Sequence, residues 1–281
     1  VFRAKTYGYR DIHQFAKQLS TNREFEQVSN SYGSKILFAT SIGGELGVVK
    51  LESLLATALK LKKNDCHFFL CDGILPACQL CTYLGFNDNI ENFLKDGPQK
   101  LYCPSCYKDA KKAIEALGFK VHAYSEYLCD QENQIIQSIL DSTPFEDIPD
   151  YRLDGIPIGE HALAGALRFM TRSTLPSTGQ GRDILRRYFF ASLKTAFATR
   201  NLLKQNGYDC VVAHHGIYVP QGVIVQTARA TGVRVVSWNI AYRANTFVFS
   251  HGDSYHHTMI EEPVSEWKEM TWDEKKEEKL N

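Results

Sequence analysis

Four cysteines stand in two pairs, Cys78-x2-Cys81 and, after 21 further residues, Cys103-x2-Cys106. A C-x2-C turn places two thiolates on one side of an ion, and two such turns supply the four soft ligands of a tetrahedral zinc. Pro76 ahead of the first pair and Pro104 inside the second suit tight knuckles. Four thiolates hold an iron–sulfur cluster as well, and disulfides or plain thiols are the remaining readings. If Cys78, Cys81, Cys103 and Cys106 all ligate zinc, no coordination position stays open and the metal is structural. Cys66, Cys71 and Cys210 lie in or beside apolar runs and read as buried thiols.

The second group with chemical potential is histidine. Five of the nine histidines fall in two short segments, His214-His215-Gly216-Ile217-Tyr218 and SHGDSYHH, which carries His251 and His256. Imidazoles in tandem beside glycine suit polar recognition or proton transfer. His214, His215, Tyr218, His251 and His256 are therefore candidates, with surface positions as the ordinary alternative. Arg243 could meet a phosphate or carboxylate. A third segment, SIGGELG, has three glycines within five residues. Gly43 and Gly44 permit close backbone approach to a ligand. Glu45 reads either as a carboxylate at a helix start or as a general base. Asp72 follows an apolar run and reads as a turn former or a binding group.

Something must position these residues, and the chain alternates accordingly. Apolar strand-like runs occupy 35–41, 66–71, 119–124, 209–214, 233–238 and 246–250, with helical patterns at 48–62, 107–117, 131–141, 159–171, 181–206 and 220–231. Nearly unbroken apolar strands alternating with helices predict an α/β, Rossmann-like fold, a mostly parallel sheet with helices on both faces and a four-Cys insert at 74–106. In such sheets ligands bind beyond the carboxyl ends of the strands, where SIGGELG, Asp72 and the HHG segment would all lie. Residues 1–34 read as a helical extension, 35–260 as the Rossmann-like domain, and 261–281 as a linker toward a further domain.

Lys+Arg and Asp+Glu are both 32, so sheer charge gives no reason to expect nucleic-acid binding. No apolar run approaches the roughly 20 residues of a transmembrane helix, and the opening VFRAKTYGYRD lacks a signal-peptide core. The expected setting is cytoplasmic, with peripheral attachment at an inner membrane as a variant. The absence of an initial Met and the polar end suggest a fragment.

The order of GGELGVVKLESLLATAL, CDGILPACQLC, CPSCY, DGIPIGEHALAGALRF, HHGIYVPQG and TFVFSHGDSYHHT resembles the N-terminal region of bacterial capsule and surface-polysaccharide glycosyltransferases, over roughly residues 35–267. The resemblance implies two facing Rossmann-like domains (the GT-B architecture), this one for a carbohydrate or glycolipid acceptor and a C-terminal one for the nucleotide-sugar donor. It implies Glu45 as base, with His214 as second candidate. Gly43, Gly44, Asp72, His215, Tyr218, Arg243, His251 and His256 would bind substrate. The competing expectations are a non-catalytic, zinc-bearing scaffold domain of polysaccharide assembly, an iron–sulfur enzyme, and a methyltransferase on the same sheet.

Overall fold

The computed structural model describes residues 9–19, 21, 33–176, 179–254 and 256. Six strands form one sheet: β1 (Lys35–Ser41), β2 (Asp65–Leu70), β3 (Lys120–Ala123), β4 (Cys210–His214), β5 (Arg234–Ile240) and β6 (Phe247–His251). Their order is β3-β2-β1-β4-β5-β6. The first five are mutually parallel, in registers such as Phe38 opposite Phe68 and Val212, while β6 returns antiparallel with Phe247 opposite Ile240. The α/β expectation thus holds at the level of a mostly parallel, Rossmann-like sheet.

Strand pleating sends alternate residues to opposite faces, and the apolar runs feed two cores. Leu37, Ala39, Phe69, Val211 and Ala213 join the core on one side. Ile36, Phe38, Phe68, Val212 and Trp238 join the other. The first core is covered by α6 (Asp130–Ser142), α7 (Ile158–Met170), the 28-residue α8 (Gly179–Asn206) and α9 (Val223–Ala230); the second by α1 (Arg10–Leu19), α2 (Leu46–Leu61) and α5 (Cys103–Ala116). Among the described residues no helix is long and apolar enough to cross a membrane.

The stretch expected as a cysteine insert is partly helical. It contains α3 (Leu80–Tyr83), α4 (Ile90–Asp96) and the first turn of α5. Cys103 and Cys106 open α5, with Pro104 in its first turn, so the second pair sits on a helix and not on a knuckle. The reason is that proline's missing N–H costs nothing at a helix start and its φ is already helical. The residues 257–281, which include the expected linker, lie outside the described residues.

Sheet order explains where a ligand would sit. From β1 the chain moves outward one way to β2 and β3, and later from β4 the other way to β5. Helix crossovers therefore leave in opposite directions at the β1/β4 boundary and open a crevice beyond the carboxyl ends of those strands.

Candidate active site

Two loops meet at that crevice, and both carry unusual backbone. Ser41 at the end of β1, and His215 and Tyr218 after β4, are non-glycine residues in the left-handed region, with φ of 61°, 63° and 64°. Such conformations cost free energy and persist only where surrounding structure enforces them, often at binding sites. Beside these residues, Glu45 sits at the N-cap of α2, yet its side chain makes no capping hydrogen bond. It turns instead toward β4, where its Oε2 lies 3.5 Å from His214 Nδ1; the two side chains are only 11% and 10% exposed. At that separation the contact is electrostatic, and both atoms lack a hydrogen-bond partner among the described residues. Buried polar atoms left unsatisfied in this way ask for a water or a ligand group.

A second carboxylate lies behind the first. Glu52, two turns further along α2, is fully buried and accepts hydrogen bonds from Thr40 Oγ1 and, at 2.8 Å, from Trp238 Nε1. Burial raises its pKa to about 7, against the lowering effect of Thr40, Trp238 and His214. The Trp238 ring in turn packs on His214, centroids 4.6 Å apart. Glu52 thus anchors the indole that holds the imidazole in place. Sequence reading missed Glu52; its signal was a lone acid in the apolar helix seven residues after Glu45, on the same face.

The opening above this pair is a cavity of about 400 Å³, lined by Glu45, His214, Tyr83, Trp238, Ile240 and Phe247 among others. That is within the size range of small-ligand sites, and its walls are mainly apolar and aromatic. Beside it, Arg168 of α7 is clamped between two tyrosines. Its guanidinium donates to Tyr83 Oη at 2.5 Å and Tyr218 Oη at 3.2 Å, and lies over both rings. Arg168 was not foreseen either, because its partners come from α3 and the loop after β4. Next to it, burial first, then the charges of His214, Arg168 and His256, hold His215 down to about 3, so it is neutral at ordinary pH.

The other sequence candidates are distributed unevenly. Gly43 is buried against α5: a Cβ there would stand 2.1 Å from the Cys106 carbonyl oxygen. The Gly44 N–H donates to Cys106 Sγ at 3.0 Å. The close approach that these glycines allow is thus made to α5, in place of a ligand. Asp72 accepts from the Ser125 N–H at 3.3 Å and ties the ends of β2 and β3 together, away from the Glu45 cavity. Arg243 is exposed in the β5–β6 turn. His251 is exposed opposite Val236, and the antiparallel course of β6 carries it away from the strand ends where it was expected; Phe247 takes its place at the cavity. His256 returns to the neighbourhood of His215.

Among the cysteines, Cys78 lies by Cys103 and Cys106 and hydrogen-bonds Cys81, which is fully buried against the α8 core near Arg187 and Tyr188. None of the eight is in a disulfide. Among the described residues, no three His, Cys, Asp or Glu side chains stand in a ready-made geometry for one metal ion. In comparisons with known proteins, the chain matches no family model and no curated protein.

Proposed function

We propose that this chain is the acceptor-side domain of a glycosyltransferase that moves a sugar from a nucleotide-sugar to a surface-polysaccharide or glycolipid acceptor. The observation that carries the reading is the Glu45–His214 pair, nine-tenths buried and facing across the β1/β4 crevice at 3.5 Å. Sugar transfer to a hydroxyl needs a base that takes its proton as the donor C–O bond breaks. Glu45 fills that role, with His214 sharing the proton through Nδ1. Trp238, Tyr83 and Phe247 give the cavity flat apolar walls against which the C–H face of a sugar ring can lie. Arg168 offers a cation for a phosphate of the acceptor or donor. The donor site would belong to a further domain.

The test uses the full natural protein. Release of nucleotide from a panel of nucleotide-sugars is measured with extracted glycolipid and polysaccharide acceptors, for wild type and Glu45→Gln. The glutamine variant is expected to lose about 10²- to 10⁴-fold in kcat, the span of a general base, while still binding acceptor. Wild-type turnover in Glu45→Gln would sink the base assignment. Carbohydrate binding by the wild-type protein with no transfer from any donor would leave a non-catalytic scaffold domain in its place.

A further inference from the structure

The cysteines that gather in the fold are not the two C-x2-C pairs alone, for Cys71 lies among them. Cys71 follows β2 directly and is tied to β1 by its N–H, which donates to the Ser41 carbonyl at 2.8 Å. Cys103, at the head of α5, packs over the next turn of that loop: a Cβ on Gly73 would stand 3.0 Å from Cys103 Cβ and 4.0 Å from its sulfur. One helical turn on, Cys106 lies in a small buried group with Ile42 and Leu80, and Cys78 packs against that same group. Cys71 and Cys78 both pack against the buried core that contains Tyr124. Cys81 hydrogen-bonds Cys78 and lies toward Arg187 and Tyr188.

Backbone donors converge on the same sulfurs. Gly44 N–H points at Cys106 Sγ at 3.0 Å, Gly73 and Leu75 N–H point at Cys71, and Leu80 N–H points at Cys78. A neutral thiol is a weak acceptor, so three sulfurs served by amides are arranged for thiolate or metal-bound sulfur, where such bonds tune the centre. The N-terminus of α5 and the Lys194 ammonium, which lies near Cys71 and donates to the Ile74 carbonyl at 3.4 Å, add favourable potential for negative sulfur.

We infer that Cys71, Cys78, Cys103 and Cys106 form a four-thiolate site for a thiophilic metal centre, either one zinc or an iron–sulfur cluster. Zinc binding would release the four thiol protons to solvent and leave a doubly negative centre beside the amides and Lys194. Because the sulfurs do not yet stand at single-ion spacing, loading either draws them inward or fills the space between them with a cluster. The centre would sit directly under the Gly43-Gly44 turn that aims Glu45, so it would brace the proposed active site without taking part in it.

The experiment measures zinc, iron and acid-labile sulfide, with the visible spectrum, on protein purified without oxygen. Cys71→Ser and Cys81→Ser are compared, with Cys210→Ser as a control for thiol loss in the core. About one colourless zinc per chain, or a brown centre with matched iron and sulfide, is expected in wild type, and it distinguishes the two metals. Cys71→Ser should lose most of the metal while Cys81→Ser keeps it. The reverse pattern, or metal-free wild type that takes up neither zinc nor a reconstituted cluster, overturns the assignment. Should Cys71→Ser fail to fold, X-ray absorption and cobalt substitution on the wild type count the ligands, and any set other than four sulfurs overturns it. Metal content is independent of sugar transfer, so the two readings fail separately.

Discussion

At the scale of single residues, the feature with the clearest physical consequence is Glu52. An acid whose pKa rises to about 7 on folding, from 4.5 for the free group, binds its proton more tightly in the native state. Between those two values the native chain therefore holds more protons than the unfolded one, and stability falls as pH rises. The stabilisation relative to the ionised state is complete below about pH 4.5 and is lost by the time pH has passed about 7. The full loss is about 3 kcal/mol at most. Glu52→Gln keeps an acceptor for Trp238 and a donor for Thr40 but cannot ionise. It should match wild type in urea unfolding at pH 5 and exceed it at pH 8, and parallel curves at both pH values would show that Glu52 does not titrate in this window.

At the scale of elements, the SIGGELG turn separates what glycine does for packing from what it does for function. Gly43 has no room for a Cβ, because α5 crosses it with the Cys106 carbonyl 2.1 Å from the Cβ position. Gly43→Ala must push α5 away from β1, and a cost of about 3 kcal/mol in denaturant unfolding is expected. Gly47, in the first turn of α2, has nothing within 4 Å of such a Cβ, so Gly47→Ala should stabilise by about 0.5 kcal/mol through helix propensity. Equal effects at both positions would mean that α5 does not seat on the turn. The strands were legible in the sequence because buried parallel strands are apolar runs such as KILFATS and CVVAH, and β1 and β4 begin and end within a residue of the expectation. Two features went unread for identifiable reasons. C-P-S-C looks like a metal knuckle and a helix start at once, and only packing against Gly43 decides between them. The direction of β6 could have been argued, since the few residues between β5 and β6 are too short for a parallel crossover, which needs a dozen or more. Glu45 and His214 were candidates because residues after strands are where such sheets bind ligands, and the structure brings them within 3.5 Å, whereas the pairing of Arg168 with Tyr83 and Tyr218 depends on three distant segments.

At the scale of the whole molecule, one sheet divides two cores, and the crevice lies at the boundary where its two halves meet. Phe69 of β2 lies on one face, stacked on Tyr124 with centroids 4.0 Å apart, while Phe38 of β1 lies on the other, stacked on Phe68 at 5.2 Å; both are fully buried. Removing either ring leaves a cavity, and Phe→Ala at either position should cost about 3–5 kcal/mol. The two faces share every backbone hydrogen bond of the sheet, so neither helical layer can leave without uncovering strands whose polar groups the other layer cannot satisfy. The expectation is one cooperative transition, in which near- and far-ultraviolet circular dichroism coincide and both variants shift the same midpoint. A chain of 281 residues is large enough for that expectation to fail. If Phe69→Ala split the unfolding curve while Phe38→Ala only moved it, the layer of α6–α9 would be a separate folding unit. The loop carrying His215 and Tyr218 leads into α9, which packs on that layer, so it would then open with it, whereas Glu45 would stay with α2 on the opposite layer. The Glu45–His214 pair would be made and broken by local unfolding. A single transition instead means that the pair is held by the full stability of the sheet, as the proposed role of Glu45 as a base meeting a hydroxyl at fixed geometry would require.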